Sequence, residues 1–201
     1  MPLFQFGTIM PLKKTLFLAW VLLAVFACRP AARSNFGVDQ WSGRLLDGSV
    51  IHFSQIDAPK LVLNFYSPTC QPCIQEIPAL EHFAAEAAKK KIPVYVALES
   101  SPSSHGLNLP ADATPEDRFQ AIRNRMMEDI QKYSMRLPVV VMDDNFRINP
   151  EYGTVTGTPE TLIFSTKPLL LRYNFIGPIG TAQDAATIER QPRYQFALER
   201  L

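Results

Sequence analysis

Two cysteines one helical turn apart, in the run Cys70-Gln71-Pro72-Cys73, are the residues of this chain best suited to covalent chemistry. An apolar run of strand formers, Leu61–Tyr66, precedes them. A helical pattern follows from near Cys70, with Ile74, Ile77, Leu80, Phe83 and Ala84 forming one apolar face. The start of a helix presents unpaired N–H groups and the positive end of the macrodipole, so a thiol placed there gives up its proton more readily. The thiolate is the nucleophile of disulfide exchange, and a second thiol at i+3 can reach back to resolve a mixed disulfide. Cys70 is therefore expected to attack and Cys73 to resolve.

Other roles for the pair compete. A structural disulfide closing so short a loop constrains little of the unfolded chain. A zinc site needs about four ligands, yet there is no second cysteine pair and only His52, His82 and His105 are left. Two inert buried cysteines are the third alternative, and the strand–helix junction argues against them. His82, on the helix, reads as a packed or solvated residue, and His105, in a long loop, as a candidate metal ligand. Lys89-Lys90-Lys91 ends the helix, where cations suit the dipole.

The elements that must hold the pair can be read outward from it. Leu61–Tyr66, the helix, and a second apolar run, Ile92–Leu98, form a βαβ unit. Pro78 predicts a kink inside the helix. Residues 100–113 form a long polar loop, after which Thr114-Pro115-Glu116-Asp117 caps a helix over 115–133. Leu137–Met142 is a third strand. Thr161–Phe164 and Leu169–Tyr173 make a terminal antiparallel hairpin, and 182–201 a closing helix interrupted at Pro192. Upstream, Asp47-Gly48 between apolar stretches predicts an N-terminal β-hairpin.

Of 201 residues, 47% are hydrophobic and 19% charged, which is globular rather than disordered composition. Lys13 and Lys14 followed by the uncharged run Leu16–Ala27 read as an export signal, too short for a membrane span. Without residues 1–27 the net charge passes from +1 to −1, which gives no electrostatic case for nucleic acid. Val25-Phe26-Ala27-Cys28 resembles a bacterial lipobox, in which Cys28 would be lipidated. That assignment accounts for the odd third cysteine. The expected organisation is a signal peptide over 1–27, a lipid-anchored tether over 28–37, and one domain over 38–201.

The run Leu63-Asn64-Phe65-Tyr66-Ser67-Pro68-Thr69-Cys70-Gln71-Pro72-Cys73-Ile74-Gln75-Glu76-Ile77-Pro78 resembles the LNFWAxWCxPCxxExP pattern of the TlpA/ResA/DsbE-like branch of the thioredoxin superfamily. Tyr152-Gly153-Thr154-Val155-Thr156-Gly157-Thr158-Pro159-Glu160-Thr161 is similar to its YxVxGxPET segment. The resemblance spans roughly residues 38–201. It implies a three-layer α/β thioredoxin fold, with a central mixed sheet flanked by helices, an N-terminal β-hairpin and an inserted helix. It further implies a cis Pro159 facing the cysteines, with Thr158 offering backbone groups to an extended substrate. Glu76 matches the family's acidic residue and would relay protons to or from Cys73. Asn64 stands where thioredoxins proper carry a buried Asp, Tyr66 replaces a common Trp, and Thr69 replaces the Trp that usually precedes the first cysteine.

The activity implied is thiol–disulfide exchange outside the cytoplasm, in the periplasm or an equivalent space, without a cofactor or metal. Gln71-Pro72 brings no charge to stabilise the thiolate, which favours a reductase. Its partners would be exported proteins with disulfides, apocytochrome c among them, and a membrane thiol–disulfide electron donor. Two alternatives remain on such a fold: a copper chaperone using both thiolates with His105, and a thiol peroxidase acting through Cys70.

Overall fold

The computed structural model describes residues 35–151 and 153–201. The expected signal peptide, the lipidated Cys28 and the tether up to residue 34 lie outside the described residues, as does Tyr152. Among the described residues, no helix is long and apolar enough to cross a membrane.

The near-continuous apolar run of β3 (Lys60–Phe65) is buried on both faces, as a central strand requires. Helix α1 (Gln71–Lys89) returns the chain to β4 (Val94–Leu98), parallel to β3. Helix α2 (Pro115–Tyr133) then leads to β5 (Val139–Met142), parallel to β4. The N-terminal hairpin, β1 (Ser42–Leu45) and β2 (Val50–His52), turns at Asp47-Gly48 and lies antiparallel along β5. On the other side β6 (Glu160–Thr166) pairs antiparallel with β3, and β7 (Leu169–Ile176) with β6. The seven strands run in the order β2-β1-β5-β4-β3-β6-β7.

Alternate side chains divide the core in two. Val62, Val96, Val141 and Ile163 meet the helices, whose contributions include Phe83 from α1, Met126 from α2, and Ile188 and Tyr194 from α3 (Ala185–Arg190) and α4 (Pro192–Leu198). Leu61, Leu63, Phe65, Val140 and Phe164 face the other way. That second face is covered by 3-10 turns at Asn35–Gln40 and Phe53–Gln55 and by the aromatic group of Trp41 and Phe146. Among the described residues, the third layer is thus built of turns and rings. Truncating the fully buried Phe83 to Ala would cost about 3–5 kcal/mol.

Helix α1 continues through Pro78. Helix α2 begins and ends where its caps predict. The Thr114 hydroxyl accepts from the Asp117 N–H while the Asp117 carboxylate accepts from the Thr114 N–H. The closing helix is two helices, divided at Gln191 just before Pro192.

Candidate active site at the start of the first helix

Cys70 is the N-cap of α1, in extended conformation, and its Sγ accepts the Cys73 N–H at 3.2 Å. One backbone donor of the helix start is therefore already directed at the sulfur, the arrangement that favours a thiolate. Cys70 is half-buried and Cys73 is 1% exposed; the two are joined in a disulfide. The preceding turn is tied by the Cys70 N–H to the Ser67 carbonyl at 3.0 Å.

Opposite Cys70 the chain passes through a cis Thr158–Pro159 bond. Pro159 is buried and Thr158 half-buried, and the Pro159 carbonyl accepts from the Gly177 N–H at 2.8 Å. Cys70 and Thr158 line one groove of about 590 Å³, with Tyr66, Thr69, His105 and Ile148 among its walls. A cavity of similar size, about 620 Å³, lies against Arg44, Phe119 and Asp143 and holds neither cysteine.

Glu76, one turn beyond Cys73, is 1% exposed. Its Oε1 accepts from the Ile179 N–H at 2.6 Å and its Oε2 from Asn64 Nδ2 at 3.1 Å. Burial pushes its pKa up to about 7, against the opposing pull of those two hydrogen bonds and of the Arg193 charge. A carboxyl so placed can take or return a proton near neutral pH. Asn64 also donates to the Thr161 hydroxyl at 2.9 Å, which ties β3 to β6 beneath the cysteines.

Three supporting groups were not legible as such in the sequence. Glu160 is fully buried and its carboxylate accepts from the Thr156 N–H (2.8 Å), the Thr156 hydroxyl (3.0 Å), the Gly157 N–H (3.1 Å) and Asn174 Nδ2 (2.5 Å). It holds the loop that delivers Thr158 and Pro159. Its position in the PET run was a signal; its partners were not. Tyr66 donates to the buried carboxylate of Asp129 at 2.7 Å, and Arg125 pairs with the same carboxylate at 2.7 Å, so the inserted helix braces the end of β3. Glu99, 8% exposed, accepts from the Ser104 hydroxyl at 2.5 Å and from the Ile148 N–H at 3.3 Å.

The long loop contains a 3-10 turn, Pro102–His105, docked on the cysteine loop: the Ser67 hydroxyl donates to the Ser104 carbonyl at 2.7 Å. Gly106 follows in left-handed conformation, where a Cβ would come within 2.9 Å of Thr69 Cγ2. The exposed Thr69 thus lies against main chain. His82 bonds the Tyr194 hydroxyl at 2.5 Å and approaches Glu189 at 3.3 Å, a tie between α1 and the closing helices. His52 is exposed on β2. Among the described residues, no group of three or more His, Cys, Asp or Glu side chains is placed to hold a metal ion.

Known structures resemble this one. DsbF of MTB, in mixed oxidized and reduced forms, is 20% identical, with a TM-score of 0.51 over 81% of this chain and 97% of that one. StoA from Bacillus subtilis is 15% identical, with a TM-score of 0.51 over 79% and 92%. A secreted Mycobacterium tuberculosis disulfide oxidoreductase homologous to E. coli DsbE is 17% identical, with a TM-score of 0.49 over 81% and 99%. No family model and no curated protein sequence matches the chain. The chain has the thioredoxin fold: a mixed sheet flanked by helices, with a Cys-x-x-Cys disulfide at the start of α1.

Proposed function

We propose that this chain is a thiol–disulfide oxidoreductase that reduces disulfides of exported proteins. The observation that carries this reading is the half-buried Cys70 at the N-cap of α1, in a groove shared with Thr158 and bonded to a buried Cys73. In the reduced protein the Cys70 thiolate attacks a substrate disulfide. The substrate S–S bond breaks, one substrate sulfur leaves and takes a proton, and a mixed disulfide forms on Cys70. Cys73 then passes its proton to the Glu76 carboxylate and attacks Cys70 Sγ; the Cys70–substrate S–S bond breaks, and the second substrate sulfur leaves as a thiolate that takes its proton from water. The Cys70–Cys73 disulfide is the product state of that cycle, and a dithiol donor must reduce it again. The Thr158–Pro159 loop binds the segment flanking the substrate cysteine by strand addition in this reading.

The uncharged Gln71-Pro72 pair favours reduction over oxidation. The export signal and Cys28 support an extracytoplasmic, lipid-anchored position, with a membrane thiol–disulfide protein as donor and apocytochrome c among the substrates. The test is Cys73→Ser, which removes the resolving thiol. Mixed disulfides between Cys70 and exported proteins are the expected yield; a Cys70 of ordinary acidity that captures no partner would sink the proposal.

A further inference from the structure

Glu76 gives Cys73 a proton acceptor, and an attacking Cys70 needs one of its own. His105 lies in the wall of the Cys70 groove and is 2% exposed. Its Nε2 is 2.6 Å from the Glu99 carbonyl oxygen. A carbonyl only accepts, so in the neutral ring the proton sits on Nε2 and Nδ1 carries a bare lone pair. That Nδ1 is buried and has no hydrogen-bond partner among the described residues. A buried acceptor left unmade costs about 1–3 kcal/mol, so such an atom needs a reason. The turn is held without it, by Ser67 to Ser104 and by the Nε2 bond itself.

We infer that His105 Nδ1 is the proton acceptor for Cys70, serving the attacking sulfur as Glu76 serves the resolving one. This inference rests on the oxidoreductase reading. In the reduced protein the Cys70 proton moves to Nδ1 and the electron pair stays on Sγ. Sγ attacks the substrate disulfide, the substrate S–S bond breaks, and Nδ1–H returns the proton to the departing sulfur. One thiol and one disulfide become a mixed disulfide and a thiol, with no outside reagent.

The charged groups around the ring set its state. Glu99 at the end of β4 favours the protonated ring through its backbone and its carboxylate. Arg125 of α2, paired to Asp129, opposes it, and the Tyr66 hydroxyl is engaged with Asp129. Burial outweighs these and holds the imidazole below its usual pKa in the disulfide state, where Cys70 carries no charge. A thiolate in the same groove would draw the ring's affinity for protons upward.

The test uses the full chain. In the Cys73→Ser protein the rate of Cys70 alkylation is followed against pH, then repeated with His105→Gln added. Gln can keep a donor at the Nε2 place for the Glu99 carbonyl and has no group at Nδ1. The expected result is a Cys70 profile displaced upward by about one pH unit and alkylation about tenfold slower at neutral pH. Coincident acidic profiles would overturn the role of His105 alone; ordinary thiol acidity without His105→Gln would overturn the functional reading and this one with it. NMR titration of the His105 ring in the unmutated protein needs no folded variant. An imidazole pKa that rises on reduction supports the inference, and one that does not move overturns it.

Discussion

Cys70 and Cys73 are bonded to each other, yet the molecule gives them opposite surroundings. The side of Cys70 is a groove walled by loops: the cysteine turn, the 3-10 turn Pro102–His105, and the cis-proline loop. The side of Cys73 is interior, where Glu76, Asn64 and Thr161 join α1, β3 and β6 out of reach of water. The difference teaches how one fold separates two roles for one functional group. In the proposed exchange the half-buried Cys70 is the sulfur that meets substrate, and the buried Cys73 resolves the mixed disulfide, with the raised-pKa carboxyl of Glu76 one turn further along α1.

Removing either sulfur is the sharpest way to test that division. Cys70→Ser should lower dithiol-dependent reduction of a model disulfide at least about a thousandfold, while Cys73→Ser should keep the first attack and accumulate mixed disulfide. Equal loss of the first step in both variants would erase the distinction. Glu76→Gln should slow the resolving step by about a hundredfold and flatten its pH dependence near 7, read by rapid quench of the mixed disulfide.

The same carboxyl makes stability depend on pH. Its pKa rises from 4.5 unfolded to about 7 folded, so between those values the native state binds more protons than the unfolded one. The stabilisation is complete below about 4.5 and is lost as pH climbs through 7. The wild type should lose roughly 3 kcal/mol relative to Glu76→Gln over that window, measured by urea unfolding.

On the groove side, Glu160→Gln can keep one oxygen for Thr156 and Gly157 but sets its NH2 against the Asn174 amide NH2, which donates to the other carboxylate oxygen in the native protein. We expect about 2 kcal/mol of lost stability and weaker substrate capture by the Thr158 loop. Tyr66→Phe should have the smallest effect, about 1 kcal/mol by thermal melting, because Asp129 keeps its pairing with Arg125.

What could be read from the sequence was what is local. The helix start near Cys70, the N-cap at Thr114 and the hairpin at Asp47-Gly48 depend on residues a few positions apart, and each stands where expected. Strand ends were less legible. β6 extends from Glu160 to Thr166, past the apolar Thr161–Phe164, because pairing with β3 on one side and β7 on the other carries polar residues along. The Glu160 network depends on Asn174, which only the β6–β7 register brings near. The docking of Ser104 on Ser67 joins segments 37 residues apart, and no local pattern announces it. The cis bond at Lys167–Pro168 sits in what reads only as a turn.

Gly106 has a consequence for how this site can change by mutation. The sequence pattern that this chain resembles has a Trp where Thr69 stands; here the Thr69 methyl lies 2.9 Å from where a Cβ on Gly106 would sit, and Gly106 is in left-handed conformation. Positions 69 and 106 are therefore tied as a matched pair. Any side chain introduced at 106 would press on the threonine methyl and would have to adopt a backbone conformation that L residues rarely take. A change at 106 would thus be felt first at the residue that precedes the attacking cysteine of the proposed reaction.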